Sequence, residues 1–158
     1  MRWFRFAVLI LAVAIVQKGA FDRLATRPDM LLVLLVFFAV YCGTSDAIIT
    51  SFAVGFAADL IGPMPMGSHM IAFGVLGTGL AYLHRVITVR RMPYQALAIF
   101  ALGLLAGVTT CLLARESLSS SLLWDLIRTA LCSAVVGPFL FRPLAWCMHM
   151  KIDRLRRR

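Results

Sequence analysis

A carboxylate near the end of a membrane-length apolar run is costly, and such a group marks either an ion or proton site or a structural pairing. Asp59 is such a residue, closing the stretch Gly55-Phe56-Ala57-Ala58-Asp59 just ahead of the turn Gly62-Pro63-Met64-Pro65-Met66-Gly67. One reading makes it an ion or proton site. The other has it capping the backbone N–H groups of the turn or pairing with a nearby cation. Proton relays in membranes draw on several embedded acids or histidines, and this chain has few, which favours the structural reading. Asp125 and Arg128 stand one helical turn apart near the start of the last apolar segment and are expected to pair with each other. His69 follows the Gly67 turn and His84 ends an apolar run, with no HExxH or comparable ligand spacing. Cys147-Met148-His149-Met150 groups soft ligand types that suit copper(I). Consecutive helical residues point around the helix instead of converging, so an interfacial anchor is the expected role. Cys42, Cys111, Cys132 and Cys147 lie in apolar segments without CxxC spacing and read as small core hydrophobes, not a disulfide framework. GxxxxGK, GxGxxG and GxSxG are all missing, so neither an enzymatic role nor a cofactor has support in the sequence.

The elements that must position these residues are set by composition. The 158 residues are 61% hydrophobic and 15% charged, with mean hydropathy +0.90, against roughly half apolar and about a quarter charged in soluble domains. The runs are too long for barrel strands and do not alternate polar with apolar. The expected fold is therefore an all-α integral membrane protein, a compact six-helix transmembrane bundle. One domain over 1–150 would carry helices at about 3–20, 28–43, 46–61, 67–84, 93–114 and 122–146, followed by a basic tail, 151–158. The first segment reads as an uncleaved helix, because Gln17 and Lys18 follow its core in place of a small-residue cleavage site. The nearly continuous run from Met30 to Ile61 is too long for one crossing of a hydrocarbon layer of about 30 Å, so it must fold back at Gly43-Thr44-Ser45-Asp46. Pro28 suits the first turn of the second helix. Pro138 and Pro143 are expected to kink or shorten the sixth. Gly103 and Gly107 form a GxxxG, and Gly74, Gly77 and Gly79 line the fourth helix. Such residues serve close helix packing within the bundle or a partner-binding face, and the first use is favoured.

The formal charge of +9 does not point to nucleic acid, because the basic residues sit at the chain ends and in a few connections. They read instead as topology signals. With the N-terminus inside, Arg2, Arg5, Arg85, Arg90, Arg91, Lys151, Arg154, Arg156, Arg157 and Arg158 face the cytoplasm, against Lys18, Arg23, Arg27 and Arg115 outside. Both termini are thus expected in the cytoplasm. Arg154, Arg156, Arg157 and Arg158 would meet anionic lipid, worth about 1 kcal/mol per basic residue, or an acidic cytoplasmic partner; lipid is favoured.

The stretch from Ser51 through Gly55, Asp59, Pro63 and Gly67 to His69 and Tyr82 resembles the rod shape-determining protein MreD family. The specific part is a third-helix glycine, an aspartate four residues later, a short proline-glycine turn and a glycine opening the next helix. Departures are the doubled Pro63 and Pro65, Ala58 where leucine is common, and the Arg-rich tail. The resemblance implies a bacterial inner-membrane component of the cell-wall elongation machinery that binds MreC and acts through it with MreB, RodA and the transpeptidase paired with RodA. It also implies a fold similar to the substrate-binding component of energy-coupling-factor vitamin transporters, and makes Gly55, Asp59, Pro63, Gly67 and His69 the motif or partner-interface candidates. The alternative is a substrate-binding membrane component of a vitamin-type transporter. A ligand site needs convergent polar groups, and beyond Asp59, Thr78, Thr109 and Thr110 the sequence offers few embedded ones.

Overall fold

The computed structural model of the chain describes residues 3–20, 28–62, 65–83, 92–113 and 120–147. Among them it places six helices: α1 (Trp3–Ala20), α2 (Met30–Tyr41), α3 (Thr44–Ile61), α4 (Ser68–Leu83), α5 (Met92–Leu113) and α6 (Ser120–Cys147). The tail 151–158 lies outside the described residues.

The order of packing follows from which helix is apolar all round. A helix with no polar stripe is buried on every side, and α2, MLLVLLVFFAVY, is of that kind. Leu31 to Val40 are all buried, and α2 touches each of the other five helices. Around it stand two antiparallel pairs, α3 with α4 and α5 with α6, while α1 packs on α2 and α3 and α4 also meets α5. The core is aromatic near the C-terminal end of α2. Phe38 meets Phe6 edge to face at 5.0 Å, and Phe37 meets Phe141 at 5.6 Å. At the same end the buried Gln95 of α5 donates through Nε2 to the hydroxyl of Tyr41 at 2.9 Å.

By length and composition, three helical stretches can cross a membrane: Thr44–Ile61, Pro93–Leu113 and Ser120–Phe141. Met30–Tyr41 and Ser68–Leu83 are shorter apolar helices. At 12 residues, α2 is about 18 Å long, less than a hydrocarbon core of about 30 Å. Because other helices cover it, its length need not match the lipid. The outer surface is apolar instead, with Leu97, Leu112, Phe139 and Trp146 all exposed. Such a surface is unfavourable in water and ordinary against lipid.

Local chemistry moves several boundaries. Asp29, not Pro28, opens α2: its carboxylate takes the first free N–H groups of the helix, and Pro28 precedes it as a buried residue. The fold-back between α2 and α3 falls at Cys42-Gly43, so Thr44 and Ser45 are already helical. Asp46 then stands in the first turn of α3, where the helix dipole favours negative charge. Pro138 and Pro143 do not shorten α6, which continues as one helix of 28 residues through both. A membrane helix tolerates a proline where its neighbours re-satisfy the freed backbone groups.

Candidate functional site: the Asp59 turn

Asp59 lies in the last turn of α3, where a side chain can reach past the helix end. Its own side chain is buried. The next helix begins at Ser68, and the leading N–H groups of a helix have no partner within it. Asp59 supplies one from outside. Oδ2 accepts from Gly67 N at 2.9 Å and Met70 N at 3.0 Å, while Oδ1 accepts from His69 N at 2.9 Å. His69 Nδ1 lies 3.2 Å from the same Oδ1. The carboxylate thus caps α4 with both oxygens, and negative charge at a helix N-terminus is favourable in itself. Ser68 completes the turn by bonding Pro65 O through Oγ at 2.9 Å.

Two glycines make that reach geometrically possible. Gly55 is one turn before Asp59 and on the same face. A Cβ there would stand 2.6 Å from Met70 Cα and 2.7 Å from His69 O. Both atoms are backbone, so only glycine lets α4 start this close to α3. Gly67 has φ of 101°, a left-handed conformation that glycine adopts without penalty, and it turns its N–H onto Asp59. Further along α4, a Cβ on Gly74 would strike the Phe52 ring, and one on Gly77 would strike Ser51 Oγ. The α3–α4 seam is therefore built on small residues facing large or polar ones.

The remaining candidates are distributed as follows. Gly103 packs on Leu32 of α2 and Ala130 of α6, and Gly107 on Leu126 of α6, so the GxxxG face is filled by this chain's own helices. Gly79 has nothing within 4 Å of its would-be Cβ. Asp125 and Arg128 form no ion pair with each other. Both are exposed, and the Arg128 guanidinium instead lies 5.4 Å from the Trp124 ring centroid, a cation–π contact. Pro63, Arg154, Arg156, Arg157 and Arg158 lie outside the described residues, as do His84, Met148, His149 and Met150. Among the described residues, no three His, Cys, Asp or Glu side chains are grouped to hold a metal.

Sequence reasoning passed over a second polar cluster. Asp29 Oδ1 accepts from Leu31 N and Leu32 N at 3.1 Å each, and from Gln17 Nε2 at 3.3 Å. Gln17 Oε1 accepts from Leu31 N, and Asp29 N donates to Ser133 Oγ at 2.7 Å. Three helices, α1, α2 and α6, are tied at one point. The available signal was an aspartate immediately before an apolar run, which is a helix-start pattern.

An all-helical chain with three membrane-length helices, an apolar exterior and its embedded carboxylate used as a cap defines a small polytopic membrane protein. Residues 1–145 match the family of the rod shape-determining protein MreD. The chain belongs to that family of shape-determining structural membrane proteins and has a role in rod shape determination. No curated protein and no solved structure matches the chain.

Proposed function

We propose that the chain is a non-enzymatic scaffold subunit of the cell-wall elongation complex in the bacterial inner membrane. It spans that membrane six times, with both termini in the cytoplasm, and binds MreC through helix surfaces of the bundle. Through MreC it supports MreB, RodA and the transpeptidase paired with RodA, and so the control of cell shape and peptidoglycan synthesis. The observation that carries this reading is the family match over residues 1–145, and the Asp59 geometry supports it. Both carboxylate oxygens are held by backbone N–H groups of α4. That use fixes the α3–α4 pair as a rigid surface, whereas a relay needs a group free to exchange protons. Affinity capture of the tagged protein from membranes in mild detergent tests the reading. MreC should be retained; its absence under conditions that preserve the bundle overturns the proposal. The basic residues Arg154 to Arg158 act on anionic lipid in this account, so their deletion should leave MreC capture unchanged.

A further inference from the structure

A cavity of about 200 Å³ lies where the N-terminus of α2 meets α4, α5 and α6. Its polar lining is Asp29, His69, Thr110, Thr129 and Ser133. These residues look unrelated in the sequence. Their hydrogen-bond states in the fold have one thing in common: nearly all offer acceptors.

Asp29 binds its cap partners and Gln17 through Oδ1, and among the described residues Oδ2 has no hydrogen-bond donor. The partner of His69 Nδ1 is the Asp59 carboxylate, which when ionised can only accept. Nδ1 therefore donates, and whenever the ring holds a single proton Nε2 carries a lone pair. Thr110 Oγ1 directs its hydrogen at Ala106 O and Gly107 O, and Ser133 Oγ directs its own at Thr129 O. Among the described hydroxyls on the wall, only that of Thr129 is left able to donate. Among the described residues, no lysine or arginine lines the cavity.

We infer that this cavity binds a primary ammonium group carried on a short apolar stem. An ammonium brings three N–H donors and a positive charge to a wall of acceptors with one carboxylate. Leu32, Phe73 and Leu126 form the apolar part of the lining and would cover the stem. A metal ion fits less well, since among the described residues no three His, Cys, Asp or Glu side chains are grouped to hold one and the apolar side chains would lie idle. The volume corresponds to about six or seven waters at about 30 Å³ each, room for an ammonium and a few carbons. Two sources share this chemistry: a free alkylamine, and the ethanolamine headgroup of a membrane lipid. The site goes beyond the scaffold reading and does not depend on it.

The test uses the full chain in detergent, with n-propylammonium chloride as probe and n-propanol and sodium chloride as controls. Propylammonium should raise the thermal midpoint by several degrees while the controls do not. Asp29→Asn keeps an oxygen to cap α2 and removes the charge, so the apparent affinity should fall at least tenfold. Thr129→Val, which leaves the cap untouched, should weaken binding several-fold. Equal shifts with n-propanol or sodium chloride, or unaltered affinity in both variants, overturn the inference. Native mass spectrometry from phosphatidylglycerol nanodiscs with and without phosphatidylethanolamine identifies the source. A retained phosphatidylethanolamine that propylammonium displaces assigns the headgroup; propylammonium binding with no such lipid retained assigns a free amine.

Discussion

Asp59 shows how one side chain can make a turn. Its carboxylate holds the N–H groups of Gly67, His69 and Met70, and an unsatisfied buried donor costs about 1–3 kcal/mol. Asp59→Ala strands three of them at once. Allowing for water at the turn, a net loss of about 3 kcal/mol is expected, or roughly 6–12 °C in thermal midpoint for a chain of this size. Asp59→Asn keeps one acceptor oxygen and should fall between. A variant as stable as wild type by thermal unfolding in detergent would contradict the capping role. Glycine positions divide by what surrounds them. Gly55→Ala forces a methyl against the backbone of His69 and Met70 and should destabilise by about 1–3 kcal/mol through overpacking. Gly79→Ala meets nothing and should be neutral or stabilising by up to about 1 kcal/mol, because alanine favours the helix. The importance of Asp59 was legible from its apolar context, since few acids lie within such runs. Its partners were not, because they are backbone groups whose positions depend on the Gly67 turn and the close approach at Gly55.

At the scale of elements, the helices were legible wherever an apolar run met a turn cluster, and their ends shifted where side chains competed for the backbone. Asp29 moved the start of α2 because its carboxylate satisfies Leu31 and Leu32. Asp29→Ala should destabilise by about 0.5–2 kcal/mol, the usual effect of losing a cap, measured by the same unfolding assay. The links from Asp29 to Gln17 and Ser133 had no counterpart in local spacing, because Ser133 is 104 residues away. The prolines of α6 illustrate a milder effect: Pro138 and Pro143 are expected to kink or shorten the helix, and it is not shortened but runs through both. The pairing expected for Asp125 and Arg128 gave way to a stack on Trp124, which offers the guanidinium an aromatic face. On the GxxxG face, Gly107→Ala meets only the Leu126 side chain, the nearest atom its Cδ2. It should therefore destabilise less than Gly55→Ala, because a rotamer can yield where a backbone cannot.

For the whole molecule, the all-helical membrane class followed from run length and charge scarcity. The arrangement did not, because which run becomes the central helix depends on contacts among all the others. In hindsight α2 is the run with no polar face, and its covered position explains how a helix of 12 residues belongs to a membrane bundle. The proposed orientation rests on charge placement. A reporter fused after Arg158 should be active only if it folds in the cytoplasm, and activity of a periplasm-dependent reporter there would contradict it. The central claim is that the Asp59-capped α3–α4 pair forms part of the scaffold that holds MreC. Its most direct test is quantitative capture of MreC from bacterial membranes by wild type, Asp59→Ala and Gly79→Ala, normalised to the amount of each protein in the membrane. The account predicts strong capture by wild type and Gly79→Ala and a loss of at least several-fold with Asp59→Ala. Equal capture by all three, with Asp59→Ala measurably destabilised, would contradict it.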